Sequence, residues 1–427
     1  MADAKFILIV DDDGIVAQIY QRQFLLAGYQ AKVVLNGEQA LEFLKERRPD
    51  LVLLDLQMPK VNGIEVLRAI RANPALKTLP VVVFSNAYLG NLVQEAWKAG
   101  ANKCLTKAIS TPRSLLEVIR ATLADGPGSK PPVSKADIVT EDAPSDAASI
   151  TAELRSSRRP SRSAASSSVP VLAETDTSFE AKLKQEFLAS GPVILASLRS
   201  RIQALAKTES DTGSARWLAD RSAILFELYQ LVHTMTGSAG AAGLQRIATM
   251  ASAFEALLRE LHEKPKNINP STIRTVANVV DFFGTLFTQA ADPAAISVDD
   301  AAILVVDDDP ISRRAVLSGL EKAGLKGTAV GDPLIALAKL AKNRFDLVFL
   351  DVQMPGMNGF ELCTKLRTMP LHTKTPVVFV TAMTDFQSRA RSTLSGGNDL
   401  IAKPFLMIEL AVKALTFVLR GRAQPPA

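Results

Sequence analysis

The chain has 427 residues and is 47% hydrophobic, which predicts about three domains with buried cores and excludes a disordered protein. Its formal net charge of +5 is not concentrated in a basic patch interleaved with aromatic residues, so we expect no direct binding to nucleic acid. No apolar run approaches the roughly 18 residues of a membrane span, and we expect a soluble, cytoplasmic protein. The two cysteines, Cys104 and Cys363, are too few for a disulfide framework and are interpreted as buried structural thiols.

Residues 1–125 alternate short apolar runs with amphipathic helical stretches. The runs KFILIV, AKVV, LVLL, PVVVF and KCLT are separated by helical patterns such as Gly14 to Ala27 and Gly37 to Arg47. Apolar strands that alternate with helices predict a doubly wound parallel α/β sheet with helices on both faces. Sheets of this kind bind ligands beyond the carboxyl ends of their strands.

Polar residues stand at the carboxyl ends of these predicted strands. Asp11 and Asp12 follow the first strand, Asp55 the third, Ser85 the fourth and Lys107 the fifth. Carboxylates about 4 Å apart repel by roughly 4 kcal/mol per pair at an effective dielectric near 20, so we expect a cation among them. Mg²⁺ is the candidate because it prefers oxygen ligands. The lysine and the hydroxyl would bracket an anion held against the metal, which predicts phosphoryl transfer onto Asp55.

The composition changes twice after the first domain. Residues 126–178 are rich in Ser, Pro and Ala and contain the basic stretch RSSRRPSR, which predicts a flexible, solvated linker. Residues 179–292 show long helical periodicities and no strand pattern, so we expect an all-α bundle there.

One of the three histidines lies among very small residues, in LVHTMTGSAGAAG from Leu231 to Gly243. With Ala223 to Gly240 as one helix, His233 lies about 120° from the centre of the apolar stripe at about 100° per residue, and we expect it to face solvent. Gly237 shares its face and costs a helix about 1 kcal/mol relative to alanine, which indicates close approach by another group. The other two histidines, His262 and His372, lack such a setting.

Residues 301–422 repeat the first domain. ILIVDDDG from Ile7 recurs as ILVVDDDP from Ile303, and DLVLLDLQMPKVNG from Asp50 recurs as DLVFLDVQMPGMNG from Asp346. The offset is a constant 296 positions at every anchor residue. The sequence therefore predicts a second α/β domain with a second acidic site.

Both repeats resemble the receiver domains of two-component response regulators, on VDD, DLQMP or DVQMPGMNG, a strand-end Ser or Thr and a strand-end Lys. The resemblance implies a flavodoxin-like fold with Asp55 and Asp351 as phosphoacceptors. The implied Mg²⁺ ligands are these two aspartates, Asp11, Asp12, Asp307 and Asp308, and the backbone carbonyls of Gln57 and Gln353. The residues implied to contact the phosphoryl group are Ser85, Thr381, Lys107 and Lys403.

The repeats depart from the receiver pattern at two places. The proline that usually follows the strand-end lysine is kept as Pro404 in the second repeat and replaced by Ala108 in the first, which questions the geometry of Lys107. The aromatic residue often found three positions before the lysine is replaced by Cys104 and Leu400, so we do not expect signalling through an aromatic switch.

The central segment resembles the His-containing phosphotransfer family, whose four-helix bundles present a histidine in a motif of the HTLKGSA type. Here the motif reads HTMTGSA, which implies that His233 accepts a phosphoryl group and that its bare surface admits a receiver pocket. Thr236 replaces the usual lysine and removes a cation, so we expect transfer to be slower or to need a partner's help.

These features predict a phosphorelay protein of the order receiver, phosphotransfer bundle, receiver. No nucleotide-binding pattern of a kinase is present, so the phosphate is expected from a sensor histidine kinase or other phosphorelay proteins. We expect a phosphotransfer protein that catalyses phosphorylation and dephosphorylation of its own aspartates and is not a kinase; whether it is an enzyme stays open, and the oligomeric state is not predicted. The alternative is a scaffold that binds partners without turnover. A haloacid-dehalogenase-like phosphatase is disfavoured because DDD lacks the DxD spacing.

Tether length favours one of the two receivers as the partner of His233. A flexible linker of about 50 residues spans roughly 40 Å and lets the first receiver reorient. The second follows after about 10 residues, at most about 35 Å when fully extended. We therefore predict that Asp55 exchanges with His233 within one chain, and that Asp351 is reached less freely or in another molecule.

Overall fold

The computed structural model describes residues 4–86, 90–124, 171–207, 215–290, 300–382, 392 and 394–422. They form an N-terminal α/β domain, a central helical bundle and a C-terminal α/β domain. The predicted fold class, two doubly wound α/β domains with an all-α bundle between them, is confirmed.

The N-terminal domain has a five-stranded parallel sheet in the order β2-β1-β3-β4-β5. Its strands are β1 Phe6–Val10, β2 Gln30–Val34, β3 Leu51–Leu54, β4 Val81–Ser85 and β5 Lys103–Thr106. Its helices are α1 Gly14–Leu26, α2 Gly37–Glu46, α3 Gly63–Ala72, α4 Gly90–Lys98 and α5 Pro112–Ala124. The strand order reverses between β1 and β3, and a ligand crevice is expected outside the carboxyl ends of those two strands.

Two helix caps fix the loops that leave β1 and β3. The carboxylate of Asp13 accepts hydrogen bonds from the backbone N–H groups of Ile15 and Val16 and starts α1 directly after the acidic pair. Asn62 and Glu65 form a reciprocal capping box that starts α3 after the loop from β3. The caps satisfy orphan donors at both helix starts and hold the two loops at one edge of the sheet.

Four α-helices form the described part of the bundle. They are α6 Val171–Lys207, α7 Ala215–Ala241, α8 Gln245–Glu263 and α9 Pro270–Gln289. Helix α6 begins inside the segment predicted as linker, whose residues 126–170 lie outside the described residues. Gly243 has a φ of +70°, a conformation that favours glycine, in the tight turn that brings α8 back along α7.

The C-terminal domain repeats the topology of the first, with strand order β10-β9-β8-β6-β7. Its strands are β6 Ile303–Val306, β7 Gly327–Val330, β8 Leu347–Leu350, β9 Val377–Thr381 and β10 Asp399–Ala402. The helices that the structure describes here are α10 Pro310–Lys322, α11 Pro333–Lys342, α12 Gly359–Arg367 and α13 Met407–Arg422.

Helix α13 joins the C-terminal domain to the bundle. One apolar core runs from the bundle residues Phe254 and Phe283 through Leu415 of α13 to Ile303 of β6. Within this packed surface the buried carboxylate of Glu409 accepts hydrogen bonds from the hydroxyls of Ser271, at 2.6 Å, and Thr275, at 3.1 Å. The bundle and the C-terminal domain are therefore packed together as one body.

The two cysteines differ in burial. Cys363 is buried, as predicted, whereas Cys104 is only partly buried because it lies on the edge strand β5. Burial still raises the pKa of the Cys104 thiol to about 12. In the described part of the chain, no helix combines the length and apolarity needed to cross a membrane.

Candidate functional site

The acidic pocket of the N-terminal domain lies at the carboxyl ends of its strands. Lys107, which follows β5, places its Nζ 2.6 Å from Oδ2 of Asp11 and 2.7 Å from Oδ2 of Asp55. All three side chains are at most 4% exposed. Three of the five predicted pocket residues thus form one buried ion cluster, and Ala108 does not prevent Lys107 from reaching it.

Burial and the contacts within this cluster shift the pKa values of its three side chains. Burial raises the pKa of Asp11 to about 6. Burial also acts to raise the pKa of Asp55, but the charges of Lys107 and His233 outweigh it and hold that pKa below its usual range. For Lys107, burial works to lower the pKa, yet the charges of Asp11 and Asp55 raise it above its ordinary value. The lysine therefore stays cationic beside an ionised Asp55.

The other predicted residues complete the pocket. Ser85 ends β4 and is 3% exposed, while Asp12 lines the pocket mouth. The backbone N–H of Gln57 donates to Oδ1 of Asp55 at 3.0 Å, which orients that carboxylate. A buried oxygen of Asp12, Oδ1, has no hydrogen-bond partner in the described structure. An orphaned oxygen on a carboxylate that approaches the carboxylate of Asp55 within 4.8 Å fits the ligand preference of Mg²⁺.

His233 lies on α7 and faces this pocket. Its Nδ1 lies 2.9 Å from Oε1 of Glu255 on α8, and its Nε2 lies 3.9 Å from Oδ1 of Asp12. Burial acts to lower the pKa of His233, but the charge of Glu255 raises it to about 9. Since an ionised carboxylate only accepts, Nδ1–H donates to Glu255, and Nε2 is the nitrogen presented to the pocket.

The two domains meet closely because α7 is made of small residues here. A Cβ added at Gly237 would lie 2.6 Å from Cγ2 of Val16, and one added at Gly240 would lie 2.2 Å from the carbonyl oxygen of Lys107. The predicted close approach at Gly237 is thus made by Val16. The prediction that His233 faces solvent is wrong: the residue is 8% exposed, because the N-terminal domain covers the face that its own helix leaves open.

A cleft of about 1250 Å³ opens beside the histidine. Its lining includes Asp12, Gln57, His233 and Arg259. Small ions can therefore reach the edge of the pocket while the two domains are in contact.

The C-terminal domain has an equivalent pocket that is more open. Lys403 places its Nζ 2.8 Å from Oδ2 of Asp307 and 3.2 Å from Oδ1 of Asp351, but its side chain is 23% exposed, against 1% for Lys107. Oxygen atoms of Asp307, Asp308 and Asp351 lie within 4.8 Å of one another. Of two further predicted residues, Thr381 ends β9 and is buried, and Gln353 is exposed.

Comparison with known families identifies both α/β domains. The response regulator receiver domain matches residues 7–120 and 303–415, which together make up more than half of the chain. The chain belongs to the response regulator receiver family. The Hpt domain, the His-containing phosphotransfer domain, matches residues 182–281 of the bundle. The predicted arrangement of two receivers around a phosphotransfer bundle is confirmed.

Individual relatives each match about 30% of this chain. The polar-differentiation response regulator DivK of Brucella anthropi is 30% identical over 121 residues, 28% of this chain and 98% of DivK. The sensor histidine kinase RcsC of Salmonella typhi is 37% identical over 131 residues, 31% of this chain and only 14% of RcsC. The solved chemotaxis response regulator CheY4 of Vibrio cholerae is 34% identical, covering 28% of this chain and 98% of CheY4, with a TM-score of 0.26.

The receivers and the Hpt domain make this a two-component phosphorelay chain, which moves phosphoryl groups between receiver aspartates and an Hpt histidine. Such domains interact with histidine kinases and other phosphorelay proteins. No kinase or DNA-binding domain is detected among its 427 residues. Sequence reasoning missed Glu255, the acid that holds the ring of His233.

Proposed function

We propose that the chain passes a phosphoryl group between Asp55 and His233 within one molecule. The observation that supports this most is the distance between the two groups. One carboxylate oxygen each of Asp12 and Asp55 and one ring nitrogen of His233 all lie within 4.8 Å of one another. This separation leaves room for a single phosphorus atom between the phosphoacceptor oxygen and the nitrogen, as in-line transfer requires.

The transfer exchanges one bond for another. In one direction Nε2 of His233 first gives its proton to water in the adjoining cleft, and then the bond from phosphorus to the Asp55 oxygen breaks while a bond from phosphorus to Nε2 forms. Lys107 then balances the negative charge that returns to the Asp55 carboxylate, because its Nζ is already 2.7 Å from that group. Glu255 holds Nδ1–H throughout and stabilises the positive charge of the ring.

The first receiver has the oxygen ligands for Mg²⁺. Asp11, Asp12, Asp55 and the backbone carbonyl of Gln57 would hold the ion, and Ser85 and Lys107 would contact the phosphoryl oxygens. The ion supplies positive charge that neutralises the transferring group. In the second receiver we propose the same roles for Asp307, Asp308, Asp351 and Gln353, with Thr381 and Lys403 at the phosphoryl group.

We propose that Asp351 exchanges with a histidine of a separate sensor kinase or phosphorelay protein. Its pocket is open to solvent, whereas that of Asp55 is covered by the bundle.

We propose the same domain limits as the sequence predicts: 1–125 for the first receiver, 179–292 for the bundle and 301–422 for the second receiver, with 126–178 as linker.

Removing one metal-binding acid from either receiver tests the Mg²⁺ assignment. We expect Asp12→Ala and Asp308→Ala each to abolish Mg²⁺-dependent labelling of their own domain by acetyl phosphate, because the remaining carboxylates no longer hold the ion. Labelling is followed separately for each receiver by mass spectrometry of its peptides, and the unaltered receiver in each variant is the internal control. Unchanged labelling of the altered domain would contradict the assignment.

Glu255→Ala tests the acid that sequence reasoning missed. We expect exchange between Asp55 and His233 to slow by about 10–100-fold, the usual cost of losing a group that orients a histidine. Nitrogen NMR of the neutral ring should show a defined Nδ1–H tautomer in the parent protein and a mixture in the variant. Glu255→Gln, which still accepts at Nδ1–H, should recover the tautomer. An unaltered tautomer in Glu255→Ala would contradict the proposal that Glu255 positions the ring of His233.

A further inference from the structure

The two receivers differ at the residue that follows the pocket lysine. Ala108 of the first receiver is 2% exposed and belongs to the hydrophobic cluster of the bundle. The equivalent residue of the second receiver, Pro404, is exposed. The departure from the receiver pattern thus lies at the contact with the phosphotransfer bundle.

The bundle has a matching departure from ordinary helix composition at Gly240. A Cβ there would lie 2.2 Å from the carbonyl oxygen of Lys107 and 3.5 Å from Cα of Ala108. Side-chain carbons do not occupy positions under about 3 Å from other heavy atoms, since repulsion is steep at that distance. The backbone of α7 therefore rests directly on residues 107 and 108.

A proline at position 108 would not fit this contact. Its ring adds carbon atoms to a site that is already 98% covered, and it fixes the backbone φ of that residue. Closely packed contacts have no spare volume for added ring carbons, so the helix and the receiver would have to separate.

A second contact between the first receiver and α7 also has no equivalent in the second receiver. Val16 fills the space that Gly237 leaves open on α7. Its counterpart in the second receiver is Ser312, whose hydroxyl donates to Oδ2 of Asp307 at 2.5 Å and so belongs to its own pocket. The second receiver therefore lacks both the apolar side chain of Val16 and the small side chain of Ala108, which fit the surface around His233.

We infer that Val16 and Ala108 fit the first receiver to the surface around His233 and so select it as the partner of this histidine, whereas Ser312 and Pro404 of the second receiver do not provide these contacts. The inference rests on the proposed exchange between Asp55 and His233 and names the residues that decide which aspartate takes part. Ala108, which replaces the usual proline of receiver domains, is thus a specificity-determining residue, and it leaves the pocket around Asp55 intact.

The test uses the full chain with Asp351→Asn, so that Asp55 is the only receiver phosphoacceptor. Acetyl phosphate with Mg²⁺ loads Asp55, and the base-stable label that appears on His233 measures exchange. We expect Ala108→Pro and Gly240→Ala each to slow exchange at least tenfold. Gly284→Ala on α9 is the matched control, because its added Cβ would meet only the end of the flexible Arg199 side chain at 3.3 Å, and it should leave exchange unchanged.

The outcomes separate this inference from the function on which it rests. Failure of the parent chain to label Asp55, or to pass label to His233, would overturn the proposed function itself. Normal exchange in the parent together with normal exchange in Ala108→Pro and Gly240→Ala would overturn only the selection by these residues. Loss of exchange in Gly284→Ala as well would show a general effect on the bundle and would also overturn the selection.

Discussion

Replacing Lys107 with methionine is expected to destabilise the first receiver by about 3–5 kcal/mol in the absence of Mg²⁺, the usual cost of breaking a buried ion pair. Lys107 is the cation that lies within 2.7 Å of both Asp11 and Asp55, and all three side chains are almost fully buried. Methionine fills a similar volume, so the loss comes from the two carboxylates left without a counter-charge. Addition of Mg²⁺ should recover part of the stability because the ion relieves the same repulsion.

The second receiver provides the matched control. Lys403→Met removes the same pair of contacts, but Lys403 is 23% exposed, against 1% for Lys107, so water already screens part of its charge. We expect a smaller loss of stability than in Lys107→Met, because the cation that is removed is less buried. Amide hydrogen exchange resolves the two domains, through peptides that contain β3 in one and β8 in the other. Equal losses in the two variants would contradict the buried-cluster interpretation.

Removal of Lys107 should also slow the phosphorylation of the first receiver. Lys107→Met is expected to slow labelling of Asp55 by acetyl phosphate about 10²-fold, because removal of one group that stabilises a transferring oxyanion has an effect of this order. Acetyl phosphate labelling measured at pH 7 with saturating Mg²⁺ separates this chemical effect from the stability effect.

The pocket was predictable because parallel strands bring their carboxyl ends to one edge. Asp11, Asp55 and Lys107 are far apart in sequence, but each follows a short apolar run, and that local pattern alone places them together. The glycine at position 237 was also informative, since a helix tolerates glycine where another surface approaches closely.

Glu255 was not predicted because the rotation of α8 against α7 is decided by packing and not by local sequence. The sequence around Glu255 nevertheless contains a signal that this acid has a partner. Glu255 interrupts the run of residues from Ala251 to Leu258, all of which are buried, and a buried acid requires a partner. The partner is His233.

The contacts between domains were the least predictable feature. A helical wheel shows which face of α7 is bare but not that a receiver covers it, so His233 was placed in solvent. The sequence of α13, MIELAVKALTFVLRGR, is apolar except along one stripe that contains Glu409, Lys413 and Arg420, and a helix that is apolar over most of its circumference is typically buried. That pattern indicates the packing of the second receiver on the bundle.

His233→Gln is expected to abolish exchange between the bundle and Asp55 while glutamine keeps the size and polarity of the side chain. Glutamine has no ring nitrogen to accept the phosphoryl group, so the base-stable label should fall to background. Labelling of Asp55 by acetyl phosphate is measured in the same sample and tests whether the receiver is intact. Base-stable label that persists in His233→Gln would mean that a different residue receives the phosphoryl group.

Exchange within one molecule is the central claim, and a mixing experiment tests it most directly. Every chain in the experiment carries Asp351→Asn. The doubly competent chain keeps both Asp55 and His233, and the mixture combines chains with Asp55→Asn and chains with His233→Gln, each of which keeps one reacting group. In the doubly competent chain, exchange should proceed at a rate that does not depend on protein concentration, because tethered domains meet at an effective concentration of about millimolar. At micromolar protein the mixture should exchange at least tenfold more slowly, with a rate that rises with concentration. A mixture that exchanges as fast as the competent chain, or a competent chain whose rate rises with concentration, would contradict transfer between Asp55 and His233 of the same molecule.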